Sequence, residues 1–178
     1  MFDLAILGLL RRRPRHGYEL KARLLELGFA RVSFGSLYPA LRRLEKRGLI
    51  EALRQSGRRK AYRLTEAGEI ELAAILDSVD DEEDRRFNMR LAFFEYLEPA
   101  ARLRSLKQRR SYLVGRLKTA QRAQQRATAE GPVDHYTAAL LQHNIGTTES
   151  DIGWLDQLIA FARTEQETEV PRTLTGGM

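Results

Sequence analysis

The sequence predicts a mainly α-helical protein: an N-terminal winged helix-turn-helix with a two-stranded wing, followed by an all-helical domain that pairs with a second copy. Three observations predict it. Leucines recur at i, i+4 and i+7 in two short stretches before residue 50, each closed by a glycine. Two short apolar stretches then flank the polar loop QSGRRK, residues 55–60, in the manner of a β-hairpin with a basic tip. From residue 85 onward, apolar residues cover wide arcs of long helical patterns. The expected divisions are a winged helix over 1–79, a helical dimerisation domain over 80–170, and a disordered tail over 171–178.

The first helix, from Asp3 to Arg12, is apolar almost all round and must be covered on more than one side; Pro14 stops it. Gly17 to Leu27 is amphipathic through Leu20, Leu24 and Leu27, with Gly28 as its expected C-terminal stop. The third helix carries Leu37, Leu41 and Leu44 on one side and ends at Gly48. Its start is open: either Ser36 or Ser33 can cap it, and the choice decides how deep Pro39 sits and whether a backbone bond is lost. Leu49–Arg54 and Ala61–Leu64 form the wing, and Thr65 caps a fourth helix whose first turn holds Glu66 and Glu69. The acidic run at 80–84 leads into a helix from Arg85 to Leu97. Pro99 opens another, Gly131-Pro132 breaks the pattern, and Asp134–Glu165 is helical with a weak point around Gly146–Ser150.

The net charge of +6 is unevenly placed. Residues 1–64 carry a net +11 and residues 65–178 a net −5, so the first third is suited to a polyanion. Taking 100° per residue, the side of the third helix opposite its leucines holds Pro39, Arg42, Arg43 and Lys46, with Ser36 and Tyr38 on the flanks. Such a face offers donors to base edges and phosphates in the major groove of DNA. Arg58, Arg59 and Lys60 at the hairpin tip would lie along the backbone or enter the minor groove. Solvent-facing solubility, or ion pairing with Glu45 and Glu19, is the plainer alternative for Arg42 and Arg43; Arg11, Arg12, Arg13 and Arg15 read as a solvated turn, with phosphate contact as the alternative.

The segments HGYEL (16–20), GSLYPALRRLEKRGLI (35–50) and YRLTEAGE (62–69) resemble the N-terminal domain of PadR-type transcriptional regulators, in the same order and at the same separations. ESDIGWLDQLIAF (149–161) is similar to the last helix of members with a longer helical C-terminal domain. The resemblance implies a homodimer that binds an operator through paired winged helices and usually represses. It places Ser36, Tyr38, Arg42 and Arg43 on DNA, with Tyr18 supporting the reading helix or reaching a phosphate. Some relatives respond to small aromatic or drug-like compounds, and Trp154, Phe93, Phe94, Tyr96 and Phe161 are the rings here that could line such a pocket; core or subunit packing is the alternative for them.

Catalysis fits poorly. There is no cysteine, His135 and His143 lack a third ligand, and no phosphate loop or nucleophile elbow stands out, so no cofactor or metal is expected. The N-terminal apolar run precedes its arginines, the wrong order for a signal peptide, and no stretch approaches a membrane span; a cytoplasmic location is expected. An architectural DNA binder without a defined operator and a winged-helix protein-interaction module remain as alternatives.

Overall fold

The computed structural model describes residues 1–29, 31–53, 60–78 and 84–169. The chain forms two compact units, Met1–Leu97 and Glu98–Met178. The first runs α1 (Phe2–Arg12), β1 (Arg15–His16), α2 (Gly17–Glu26), α3 (Phe34–Lys46), β2 (Ile50–Leu53), β3 (Ala61–Leu64), α4 (Glu66–Asp77) and α5 (Asp84–Leu91), then a 3-10 turn at Phe94–Tyr96. The second holds α6 (Pro99–Glu130) and α7 (His135–Glu169).

α1 is buried from Leu4 to Leu10 and forms the centre of the first unit. Leu20 and Leu24 of α2, Leu37, Leu41 and Leu44 of α3 and Leu72 and Leu76 of α4 are fully buried in the same core. Gly28 and Gly48 follow α2 and α3 with φ of 87° and 72°, the left-handed backbone that lets a helix end abruptly.

The wing is an antiparallel pair, with Ile50 opposite Leu64 and Leu53 opposite Ala61. The sheet has a third strand that the two-stranded expectation lacks: Arg15 and His16 pair with Tyr62 and Ala61, giving the order β1-β3-β2. Two residues cannot show a period, and the local sequence reads as a turn. Arg15 corrects the picture of a solvated arginine turn. Its side chain is buried and donates from Nε to the Leu9 carbonyl at 3.0 Å, and burial pushes its pKa down.

The expected helix from Arg85 to Leu97 is interrupted after Leu91 and ends as the 3-10 turn. α1 and α4 hold this segment. The Phe93 ring lies against Gly8, Arg12 binds Glu95 at 2.5 Å and the Tyr96 hydroxyl at 3.2 Å, and the Arg11 guanidinium sits 4.5 Å from the Tyr96 ring centre. Arg90, buried, donates to the Leu76 carbonyl near the C-terminus of α4 at 2.7 Å, where the helix dipole favours a cation. This segment therefore packs within the first compact unit, which runs to Leu97.

In the second unit α6 and α7 are antiparallel, as the ion pairs Arg102–Glu165, Arg110–Asp156 and Arg116–Asp151 show. Leu103, Leu106 and Leu113 face Leu155, Ile159 and Ala162, all buried. α7 runs unbroken through the expected weak point at Gly146–Ser150: Thr148 is buried, donates to the Asn144 carbonyl at 2.8 Å and accepts from Arg116. No helix among the described residues is long and apolar enough to cross a membrane. The tail 171–178 lies outside the described residues.

α4 seats on the wing without room for a side chain in its first turn. A methyl at Gly68 would lie 2.0 Å from the Leu49 carbonyl oxygen, which accepts from the Thr65 N–H at 3.1 Å. Gly68→Ala is therefore expected to destabilise the protein by about 1–3 kcal/mol through overpacking. The neighbouring Ala67→Gly change should cost about 1 kcal/mol or less. Urea unfolding followed by circular dichroism measures both; equal effects would contradict the close approach.

Candidate nucleic-acid interface

α3 begins earlier than the later of its two possible caps allowed. Ser33 is the N-cap, and its Oγ accepts from the Ser36 N–H at 3.1 Å. Ser36 completes the box: its Oγ accepts from the Ser33 N–H at 3.1 Å and donates to the Ser33 carbonyl at 2.9 Å. The Ser36 hydroxyl thus holds the helix entry in shape. Pro39 is left six residues into the helix, where its ring supplies no N–H to the Gly35 carbonyl. Gly35 and Pro39 are both exposed, so the lost bond faces solvent.

Buried Leu37, Leu41 and Leu44 fix the opposite side and leave Tyr38, Arg42, Arg43 and Lys46 exposed. The four do not share one environment. Arg43 turns to α1 and binds Asp3 at 2.5 Å; Arg47 binds Glu71 at 2.6 Å and lies 3.8 Å from Asp3. Arg42 turns the other way, into a concavity shared with Tyr18, Tyr38, Lys60 and Tyr62. Arg42, Lys46 and Lys60 have no ionic partner among the described residues. Arg12, Arg13, Arg23 and Arg63 are paired with Glu95, Glu19, Glu26 and Glu51. The expected partners of Arg43 were Glu45 or Glu19; the partner found is Asp3, a residue 40 positions away.

Tyr38 stacks on Phe34 with ring centres 5.8 Å apart, and its hydroxyl end crosses the start of α2. A methyl at Gly17 would lie 3.1 Å from the Tyr38 oxygen, so glycine there sets how closely α2 and α3 approach. Tyr18 is half exposed and stacks on His16 at 5.6 Å rather than on α3. His16 also approaches the Lys60 carbonyl through Nδ1 at 3.2 Å, tying the start of α2 to the base of the wing. His16, Phe34 and Glu45 line this concavity and were not anticipated as part of it; the HGYEL segment was the signal for the first. Arg58 and Arg59 lie outside the described residues, and Lys60 is exposed at the start of β3.

The five aromatic residues considered for an effector pocket fall in different settings. Phe93 and Phe94 are buried and Tyr96 is half-buried in the first unit, with Phe93 stacked on Tyr96 and Phe94 edge-on to Phe87. Trp154 and Phe161 are exposed on α7.

Residues 6–74 match the family described as transcriptional regulator PadR-like, and residues 85–162 match the virulence activator alpha C-terminal family. The chain is 42% identical over 55 residues to an uncharacterised 37.1 kDa protein in transposon TN4556 of Streptomyces fradiae; it covers 16% of that protein's length and the match takes in 31% of this chain. Among solved structures, it is similar to TA0346 from Thermoplasma acidophilum (32% identity over 41% of this chain and 72% of that one, TM-score 0.36). It is also similar to smu.1604c from Streptococcus mutans (28%, 89% and 98%, TM-score 0.41). A third is Bacillus subtilis PadR in complex with operator DNA (22%, 90% and 98%, TM-score 0.39).

Glu19 anchors the α2 end of this interface. Its carboxylate accepts from the His16 N–H at 2.8 Å and from Arg13 at 2.9 Å, and these contacts hold its pKa below the ordinary glutamate value. A carboxyl with a lowered folded pKa contributes stability above its unfolded pKa and loses it as pH falls through the folded value. Glu19→Gln is therefore expected to lower stability at pH 7 and to approach the parent only as pH falls below the ordinary glutamate pKa of about 4.3. Thermal unfolding across pH 3–7 checks this; parallel curves for the two proteins would contradict it.

Proposed function

The chain belongs to the PadR-like family of transcriptional regulators, and we propose that it is a sequence-specific DNA-binding repressor acting as a homodimer. The observation that carries this reading is the sorting of cations on the first unit. Carboxylates take up Arg12, Arg13, Arg23, Arg43, Arg47 and Arg63; among the cations without ionic partners in the described residues, Arg11 and Lys21 lie over rings and Arg31 and Arg85 stand elsewhere, while Arg42, Lys46 and Lys60 gather on α3 and the base of the wing. Arg42 and Lys46 lie one turn apart on the outer face of α3, and Arg42 and Lys60 share a concavity with three tyrosines, Tyr18, Tyr38 and Tyr62. A helix of that form fits the major groove, with the arginine at base edges and the lysines and tyrosines on phosphates. Arg43, held by Asp3, sets the tilt of α3 against α1 in this reading.

Pairing of two copies is supported by α7. Leu140, Trp154 and Phe161 are exposed at multiples of seven residues and form a row separate from the face that meets α6. Two copies joined there would present two winged helices to a pseudo-palindromic operator. Trp154 and Phe161 then serve subunit contact, and a small aromatic effector, if one acts, would release DNA by disturbing that contact.

Arg42→Ala is expected to weaken operator binding by about 1–3 kcal/mol and to relax base preference. Lys46→Ala should weaken all duplexes alike and reduce the salt slope by about 1. Arg43→Ala should change base preference least. Selection of bound fragments from genomic DNA, followed by titration of the selected duplex against random DNA, tests the set; a preference below ~10³-fold would favour an architectural role. For the pairing, a Trp154→Glu, Phe161→Glu variant should sediment as a monomer while the parent sediments as a dimer. A monomeric parent at tens of micromolar would refute it.

A further inference from the structure

α6 contains nine lysines and arginines and one carboxylate, Glu130, whereas α7 contains one arginine and six carboxylates. α7 takes up three of those cations: Arg102 by Glu165 at 3.2 Å, Arg110 by Asp156 at 2.5 Å and Arg116 by Asp151 at 3.8 Å. Arg109 is buried. Arg126 is exposed near the end of the helix, and Arg104, Lys107, Lys118 and Arg122 are exposed along it; none of the five has an ionic partner among the described residues.

Arg104, Lys107, Lys118 and Arg122 are not scattered. At 100° per residue they fall within about 60° of one another around the helix, along roughly 27 Å of its axis. The face lies away from buried Leu103, Leu106 and Leu113. Between the two cation pairs it holds Ser111 and Gly115, both exposed. Like charges three and four residues apart destabilise a helix, and Arg104/Lys107 and Lys118/Arg122 are such pairs. A face that served solubility alone would lose nothing by alternating with glutamate, as helices commonly do.

We propose that this face of α6 is a second DNA-contact surface, which binds backbone phosphates that the winged helix does not contact and reads no bases. The chemistry favours duplex DNA over an acidic protein. Protein partners draw most of their binding energy from buried aromatic and aliphatic anchors, and this face offers none. A phosphate backbone is bound through counterion release by a row of cations and needs no anchor. Small Ser111 and Gly115 let such a backbone approach the middle of the row. The inference rests on the proposed function only in taking duplex DNA as the polyanion the protein meets.

The test uses the full chain and a 40-base-pair duplex of random sequence, with binding followed by fluorescence anisotropy between 50 and 200 mM NaCl. Changing Arg104, Lys107, Lys118 and Arg122 together to Gln should lower the slope of log K against log salt by about 2–4 and weaken binding about tenfold or more at 100 mM salt. In otherwise unaltered protein, a photo-cross-linking side chain at Ser111 should attach to the duplex, and one at Gln157 on α7 should not. An unchanged slope, or no cross-link at Ser111, overturns the proposal. So does a four-Gln variant whose main change is its sedimentation, since the face would then be seated on a second copy. An Arg42→Ala, Lys46→Ala variant run in parallel separates the two readings. Loss of affinity there with an unaffected four-Gln variant leaves the winged-helix reading standing and removes this one; the converse does the opposite.

Discussion

Burial of Leu37, Leu41 and Leu44 is the constraint on which the rest of the first unit depends. These side chains have no contact with water, and each is worth about 1.5–3 kcal/mol relative to exposure. Rotating α3 about its axis by even half a turn would forfeit most of that. The outer face is therefore fixed in angle by apolar packing, whatever its own residues are. Ser33 and Ser36 fix where the helix starts, and Asp3 holds Arg43 on the α1 side. What remains facing outward is a short arc centred on Gly35, Pro39, Arg42 and Lys46, presented by a rigid element. A recognition surface needs that rigidity, because groups held in place before binding lose less freedom on binding.

The division of labour among arginines follows from where carboxylates happen to lie in three dimensions. Arg42 and Arg43 are adjacent in sequence and chemically identical, yet one meets a carboxylate and the other does not. An exposed ion pair contributes little to stability, about 0–1 kcal/mol. Its larger effect here is selective: it orients Arg43 and leaves Arg42 available. The same logic runs through the turn after α1, where Arg12, Arg13 and Arg15 are each taken up by a different group, Glu95, Glu19 and the Leu9 carbonyl. A cluster that looks like one cationic patch is dismantled by folding.

Features set by local periodicity were legible in the sequence. The helices of the winged unit, the hairpin, the Thr65 cap and the glycine stops all follow from spacing and residue type, and the segments around Tyr18, Tyr38 and Tyr62 carried the family resemblance. Features set by distant contacts were not. β1 is two residues long and exists because β3 lies beside it. The helix after residue 84 stops at Leu91 because Phe93, Glu95 and Tyr96 are claimed by α1, a partner more than eighty residues earlier. The choice between Ser33 and Ser36 as cap turned on reciprocal hydrogen bonds that join the two serines, with Ser36 at the third helical position.

Charge shows the same limit at a larger scale. Averaged over residues 65–178 the balance is acidic, and that average suggested no polyanion surface in the second unit. Folding pairs a strongly basic helix with an acidic one, and the neutralisation is incomplete because only cations on the shared side can reach α7. An antiparallel pair of helices buries one stripe of each. Arg104, Lys107, Lys118 and Arg122 lie outside that stripe and pair with no carboxylate of α7 among the described residues. A segment with net negative charge can thus carry a positive face, and the sign of a domain says less about its partners than the sign of each side of each helix.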